Sequence, residues 1–183
     1  MRMPRGYWTT LIVLAVGVTI PVIGPGAVPG PFQAAGAPAL AAAAHTVELT
    51  VVAGQKNVEL GFNGYHKGGM TVTVPAGWQV VVHFENVGMA PHSLVVLPAG
   101  TGQVAAPSTT PVFAGAATKD PAAGLSKGGK QTFTFEASKS GTYDVVCAVP
   151  GHAMAGQWFT LVVSSTAEAP SVTPAGAMMM ATK

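Results

Sequence analysis

Cys147 closes an alternating apolar segment, and Ala148, Val149, Pro150 and Gly151 carry the chain to His152, five positions on. A tight Pro-Gly loop of this length can aim a thiolate and an imidazole at one point. A second imidazole must come from elsewhere, and His92 stands after Pro91, at the mouth of the strand that begins at Ser93. Thiolate plus two imidazoles is a trigonal donor set that suits copper in both oxidation states once a weak axial donor completes it. Taken singly these residues have duller explanations. A lone Cys is usually a small core hydrophobe, and a lone His beside a strand is usually a surface or hydrogen-bonded residue. Their joint occurrence favours the metal. His45, His66 and His83 have no Cys or carboxylate at ligand spacing and read as ordinary surface residues, His83 on the strand face opposite Trp78, Val82 and Phe84.

The elements that must position these donors have period two. Val47, Leu49 and Val51 alternate with Glu48 and Thr50, then Val58, Leu60 and Phe62 with Glu59 and Gly61, then Met70, Val72 and Val74 with Thr71 and Thr73. After the turn at Pro75, Ala76 and Gly77, the residues Trp78, Val80, Val82 and Phe84 share one face of a fourth strand. Ser93–Leu97, Gln131–Glu136, Thr142–Cys147 and Trp158–Val163 complete the set. Short strands at this spacing, broken by Gly and Pro and without a helical stripe between them, predict an all-β fold: an antiparallel, Greek-key β-sandwich. Residues 98–130, rich in Ala, Gly, Pro, Ser and Thr, are too long for a plain connection. They are expected to cover the sandwich and to have room for a helical turn.

Composition agrees. In 183 residues there are 23 glycines and 15 prolines and only 9% charged residues, which favours turns over long helices. From His45 onward the acidic and basic residues balance, seven of each, so no basic stripe remains for phosphates and nucleic-acid binding is excluded on electrostatic grounds. Ahead of that body, Arg2 and Arg5 precede an apolar run from Thr10 to Val18, the pattern of an export signal. Small residues around Ala41–Ala44 offer cleavage sites. The alternative is an uncleaved membrane anchor over Gly6–Ile23. Either way residues 1–44 place the body outside the cytoplasm, where an unpaired Cys147 calls for an explanation that a metal thiolate supplies. The folded domain is expected over 45–163. Residues 164–183, a Ser/Thr/Ala/Pro tail ending in Met178, Met179 and Met180, are expected to be disordered.

Other functions have less support in the chain. An oxidase or reductase needs further metal centres, and the chain has no His-x-His pair and no His beside Cys147. Copper carriage or storage could use the same three residues, although a carrier needs ligands that exchange easily. A structural zinc site wants four strong donors and only three converge. A Cys147 nucleophile paired with His152 lacks an orienting acid.

The Cys147–Ala153 loop, of the form Cys-x-x-Pro-Gly-His-Ala, and the upstream Pro91-His92-Ser93 resemble cupredoxins. Phe62, Asn63, Gly64 and Tyr65, followed by Gly69, Met70 and then Val74–Trp78, are similar to sulfocyanin in particular, with rusticyanin next. The resemblance covers about His45 to Val163. It implies a blue-copper β-sandwich, one copper ion held by His92, Cys147 and His152, and single-electron transfer at the outer face of a membrane in the respiratory chains of acidophiles. Its partners would be redox proteins such as a respiratory oxidase or a cytochrome, and it would act as a monomeric carrier rather than an enzyme. One departure stands out: where those relatives carry an axial Met, five residues past the loop histidine, this chain has Gln157. An amide oxygen is an accepted axial donor, as in the similar case of stellacyanin, so Gln157 is the expected fourth ligand and Met154 the alternative. The edge of His152, ringed by Pro150, Gly151, Ala153, Met154 and Ala155, is the expected docking patch.

Overall fold

The computed structural model describes residues 40–175. In chain order its elements are β1 (Leu40–Ala43), β2 (Thr46–Gln55), β3 (Val58–Phe62), β4 (Met70–Pro75), β5 (Gln79–Asn86), β6 (Val95–Pro98), β7 (Lys130–Glu136), β8 (Gly141–Val146), α1 (His152–Ala155), β9 (Trp158–Ser164) and β10 (Ser171–Pro174). Alternation decides which face each strand buries. Val47, Leu49 and Val51 of β2, Val80, Val82 and Phe84 of β5, and Phe133 and Phe135 of β7 turn inward from one sheet. Met70, Val72 and Val74 of β4, Val145 of β8, and Phe159, Leu161 and Val163 of β9 turn inward from the other, and together they form one core. Phe62 packs edge-on against Phe84 and Phe159, with ring centroids 6.5 and 5.7 Å away. Full burial of a side chain of this size contributes about 1.5–3 kcal/mol, so the shared core, more than strand propensity, holds the two sheets together.

The sandwich is all-β apart from the single-turn α1, but its sheets are mixed where the alternation predicts antiparallel ones. One sheet runs β1-β2-β5-β7 with β3 also on β2, and the other runs β10-β4-β9-β8-β6. The β2/β5 and β4/β9 pairs are parallel. Alternation within a strand fixes its buried face and says nothing about a neighbour's direction; crossing between sheets before pairing is what permits parallel partners.

Two strands lie outside the expected 45–163 boundaries. β1 pairs with β2 through a two-residue turn at Ala44 and His45, with His45 at φ 64°. An alanine run carries no alternation, so this strand has no signal in the sequence and is registered by its backbone pairing. β10 corrects the expected disordered tail: Ser171–Pro174 pairs antiparallel with Met70–Thr73, and Val172 packs against the core. The free edge of β4 offers hydrogen-bonding groups that a polar, β-branched segment satisfies. The Met178–Met180 triplet and residues 1–39 of the leader expected over 1–44 lie outside the described residues. Among the described residues no helix is long and apolar enough to cross a membrane.

The long connection after β6 covers the sandwich as expected but contains no helix. Phe113 stacks on Phe135 at 5.6 Å and meets Tyr143 edge-on at 4.9 Å. Val96 exchanges backbone bonds with Ala116 and Val112, and Thr118 Oγ1 accepts the Leu94 N–H. His92 and Leu125 bond each other in both directions, at 3.0 and 2.7 Å. The connection therefore clamps the segment that carries His92.

Candidate metal centre

Two loops at one end of the sandwich supply the donors, and a strand orients one of them. The first follows β5. Asn86, fully buried, donates from Nδ2 to the carbonyls of Ala90 and Leu125 at 2.8 and 2.7 Å, and its Oδ1 accepts the Gly88 N–H at 2.8 Å. With every polar atom of Asn86 used, the 86–91 turn is pinned to the neighbouring backbone, and it delivers His92 to a fully buried position. The second loop joins β8 to β9 and closes on itself: the Cys147 N–H donates to the Gln157 carbonyl at 3.1 Å, and the Gln157 N–H to the His152 carbonyl at 3.0 Å. Between them α1 makes one turn, entered through Gly151 at φ 85° and left through Gly156 at φ 117°, both in the left-handed region that glycine tolerates. That turn is why His152 comes back toward Cys147. The third contribution is β3, whose Gly61 carbonyl accepts Nε2 of Gln157 at 3.2 Å. This bond fixes the amide so that its oxygen faces the other donors.

The donor atoms of His92, Cys147 and His152 all lie within 4.8 Å of one another. Gln157 Oε1 is 2.9 Å from Nδ1 of His92 and 3.1 Å from Nδ1 of His152, and Cys147 Sγ is 3.5 Å from the latter. Cys147, His92 and Gln157 are fully buried and His152 half-buried. The sequence-predicted set is thus brought to one point, Gln157 included. Met154 is 59% exposed on the outer side of α1 and makes no approach to it. Ala153, expected at the surface, is buried in a small second cluster with Val95, Leu97, Val146 and Ala148, because α1 turns its one inward position onto that sheet. His45 and His66 are exposed, and His83 hydrogen-bonds Thr132 at 3.1 Å on the outer face, 3.8 Å from Glu48.

Electrostatics favour a bound cation. Burial pushes His92 down, helped by the neighbouring His152, and burial likewise pushes His152 down, so both rings are neutral with lone pairs to offer. Burial pushes the Cys147 thiol up, against the lowering influence of Ser93. A thiolate here therefore needs a cation beside it, and metal binding must release the thiol proton. Soft sulfur, two imidazoles and one weak amide oxygen fit copper, whereas zinc would want a fourth strong donor.

Two supporting residues escaped the sequence reading. The Ser93 N–H donates to Cys147 Sγ at 3.3 Å, its hydroxyl lies 3.6 Å from the same sulfur, and its Oγ accepts the Ala148 N–H at 3.0 Å. Its place directly after His92 was the available clue. Glu59 accepts the N–H groups of Met89 and Ala90 at 2.6 and 2.9 Å and stands 3.6 Å from His92 Nε2. Alternation placed it among solvent-facing residues, and nothing local to β3 points to His92.

Comparison with known proteins agrees with this geometry. The family model described as the sulfocyanin (SoxE) domain matches residues 36–173. Sulfocyanin of Sulfolobus acidocaldarius is 34% identical over 133 residues, 68% of this chain and 67% of that protein. Among solved structures, rusticyanin point variants superpose with a TM-score of 0.53 at 25% identity, covering 67% of this chain and 80% of that one. A methionine-to-glutamine mutant of rusticyanin gives 0.51 at 28% identity, with the same coverage. The His92–Cys147–His152 cluster is compatible with a type 1 copper site. With the fold, the donor cluster and a family match over most of its length in agreement, this chain belongs to the sulfocyanin family of cupredoxins.

Proposed function

We propose that this chain is a blue copper protein that passes single electrons in an extracytoplasmic respiratory chain, with His92, Cys147, His152 and Gln157 holding one copper ion. The observation that carries the proposal is the convergence of four donor groups at one buried point, each fixed by contacts of the protein's own making. A copper ion held there supplies a one-electron couple. The protein's part is to resist rearrangement: Ser93 braces the sulfur, Gly61 pins the amide, and Asn86 with Leu125 holds the His92 backbone. Ligands that keep their places in both oxidation states keep the reorganisation small, which suits an electron carrier better than an enzyme or an exchanging copper carrier.

His152 is the half-buried member of the set and the natural exit for an electron. Around it Pro150, Met154 and Ala155 are exposed, and Met89 and Val87 on the neighbouring turn are 76% and 41% exposed. This largely apolar patch, with the Lys127 ammonium 3.1 Å from Met89 Sδ at its margin, suits brief encounters with a redox partner, a respiratory oxidase or a cytochrome, more than electrostatically steered ones. Export rests on Arg2, Arg5 and the apolar run after them. The test is spectroscopic. Purified protein with one equivalent of Cu(II) is expected to show the intense thiolate-to-copper band of a blue site, and Cys147→Ser to abolish it. Wild-type protein that stays colourless would overturn the proposal.

A further inference from the structure

Among the described residues, Nε2 of His92 is the buried side-chain polar atom without a hydrogen-bond partner. With Nδ1 turned toward Cys147, His152 and Gln157, Nε2 must carry the ring proton whenever Nδ1 binds a metal, and a buried N–H with no acceptor is unfavourable. The group facing it is Glu59. Its Oε1 is held by the Met89 and Ala90 N–H groups and stands 3.6 Å from Nε2. Gly88 leaves the space between them open: a Cβ there would lie 2.6 Å from Glu59 Oε1 and 2.9 Å from His92 Nε2. The carboxylate is 43% exposed and accepts two backbone N–H bonds, the arrangement of an ionised side chain.

The geometry points to Glu59 as a positioning residue for the metal centre: its fixed negative charge is the electrostatic partner of the His92 Nε2–H, keeps that ring's Nδ1 aimed at the ion, and favours Cu(II) over Cu(I). This rests on the ligand set proposed above. At 3.6 Å the contact is too long for a normal hydrogen bond, so it acts through charge. Ligating histidines generally need such a partner on their second nitrogen, and a carboxylate makes the ring a stronger donor. The Glu59 side chain is 43% exposed, so water screens the charge and its effect is one of tuning.

Two substitutions separate the charge from the turn that Glu59 also caps. Glu59→Gln keeps an oxygen for the Met89 and Ala90 N–H groups and removes the charge, whereas Glu59→Asp keeps the charge on a shorter arm. Competition titrations with Cu(II) and Cu(I) are expected to show the Gln variant losing about tenfold in its affinity ratio for Cu(II) over Cu(I). Voltammetry should then read a potential raised by ~59 mV, with a smaller change in the Asp variant. In the Cu(I)-loaded wild type, proton NMR should show a slowly exchanging His92 Nε2–H. Exchange too fast to observe overturns the inference without any variant, as does an Asp variant shifted further than the Gln variant. A wild type that stays colourless with copper removes the ligand set and this inference together; a blue Glu59→Gln protein at the wild-type potential removes this inference alone.

Discussion

Replacing Gln157 with Met tests the fourth ligand and separates its redox role from its structural one. The side chain is fully buried, and Met has the same length without branching, so the site should still pack. The structural loss in the copper-free protein is the Nε2–H bond to the Gly61 carbonyl, 3.2 Å long, and the contacts of Oε1 with Nδ1 of His92 and His152 at 2.9 and 3.1 Å, each worth about 0.5–1.5 kcal/mol net and offset in part by the more apolar thioether. For a domain of this size that is a fall in Tm of several degrees in the copper-free protein. The redox effect is larger in proportion. An amide oxygen facing a charged group contributes about 1.5–3 kcal/mol. A dication draws roughly twice what a monocation does, so the preference for Cu(II) over Cu(I) is about 1.4 kcal/mol, equivalent to ~59 mV. Sulfur's own preference for Cu(I) adds in the same direction. Gln157→Met is therefore expected to raise the reduction potential by one to a few such steps, read by protein-film voltammetry. Met154→Leu is the control, since Met154 is 59% exposed on the outer side of α1 and should leave the potential where it is. A large shift for Met154→Leu with none for Gln157→Met would show the axial residue to be misassigned.

The other expectations concern the remaining ligands, the tail and pH. His92→Ala and His152→Ala should each damage the blue spectrum while His83→Ala, on the outer face beside Thr132, leaves it unchanged; equal damage from His83→Ala would refute the ligand set. Truncation before Pro170 removes β10 and the partial burial of Val172, and should lower Tm by several degrees, about 1 kcal/mol; an unchanged melt would mean the strand contributes nothing. Copper-free protein should be most stable between pH 6.5 and 9.0. Below 6.5 the unfolded chain takes up protons on His92 and His152 before the folded one does, because burial lowers both in the fold, so stability falls on acidification. Above 9.0 the unfolded Cys147 gives up its proton first, because burial raises it in the fold, so stability falls again. Thermal melts from acid to alkaline pH that stay flat through both limits would contradict the burial of these groups.

Strand positions were readable in the sequence, and so were buried faces except in β3, where Val58, Glu59 and Leu60 are all half-buried and Gly61 is buried, because alternation is a local property. Val80, Val82 and Phe84 turn inward and His83 outward wherever β5 lies in the sheet. The donors were readable because their types are rare in this chain, one cysteine among five histidines, and because the Pro-Gly loop ties Cys147 to His152 over five positions. Pairing direction was not readable: the parallel β2/β5 and β4/β9 ladders depend on which strands the crossovers bring together. Nor were β1, an alanine run without alternation, and β10, a polar segment ordered by the open edge of β4. The same division runs through the metal centre. Chain chemistry by itself determined that a thiolate and two imidazoles were available. Only the tertiary structure decided that Gln157 faces inward with its oxygen leading, because the Gly61 carbonyl that orients it is 96 residues away, and that Glu59 faces His92, because two backbone N–H groups turn its carboxylate from solvent toward the ring. Those contacts join residues with no local relationship, and an acceptor or a charge acts through distance in space, which the order of residues along the chain does not record.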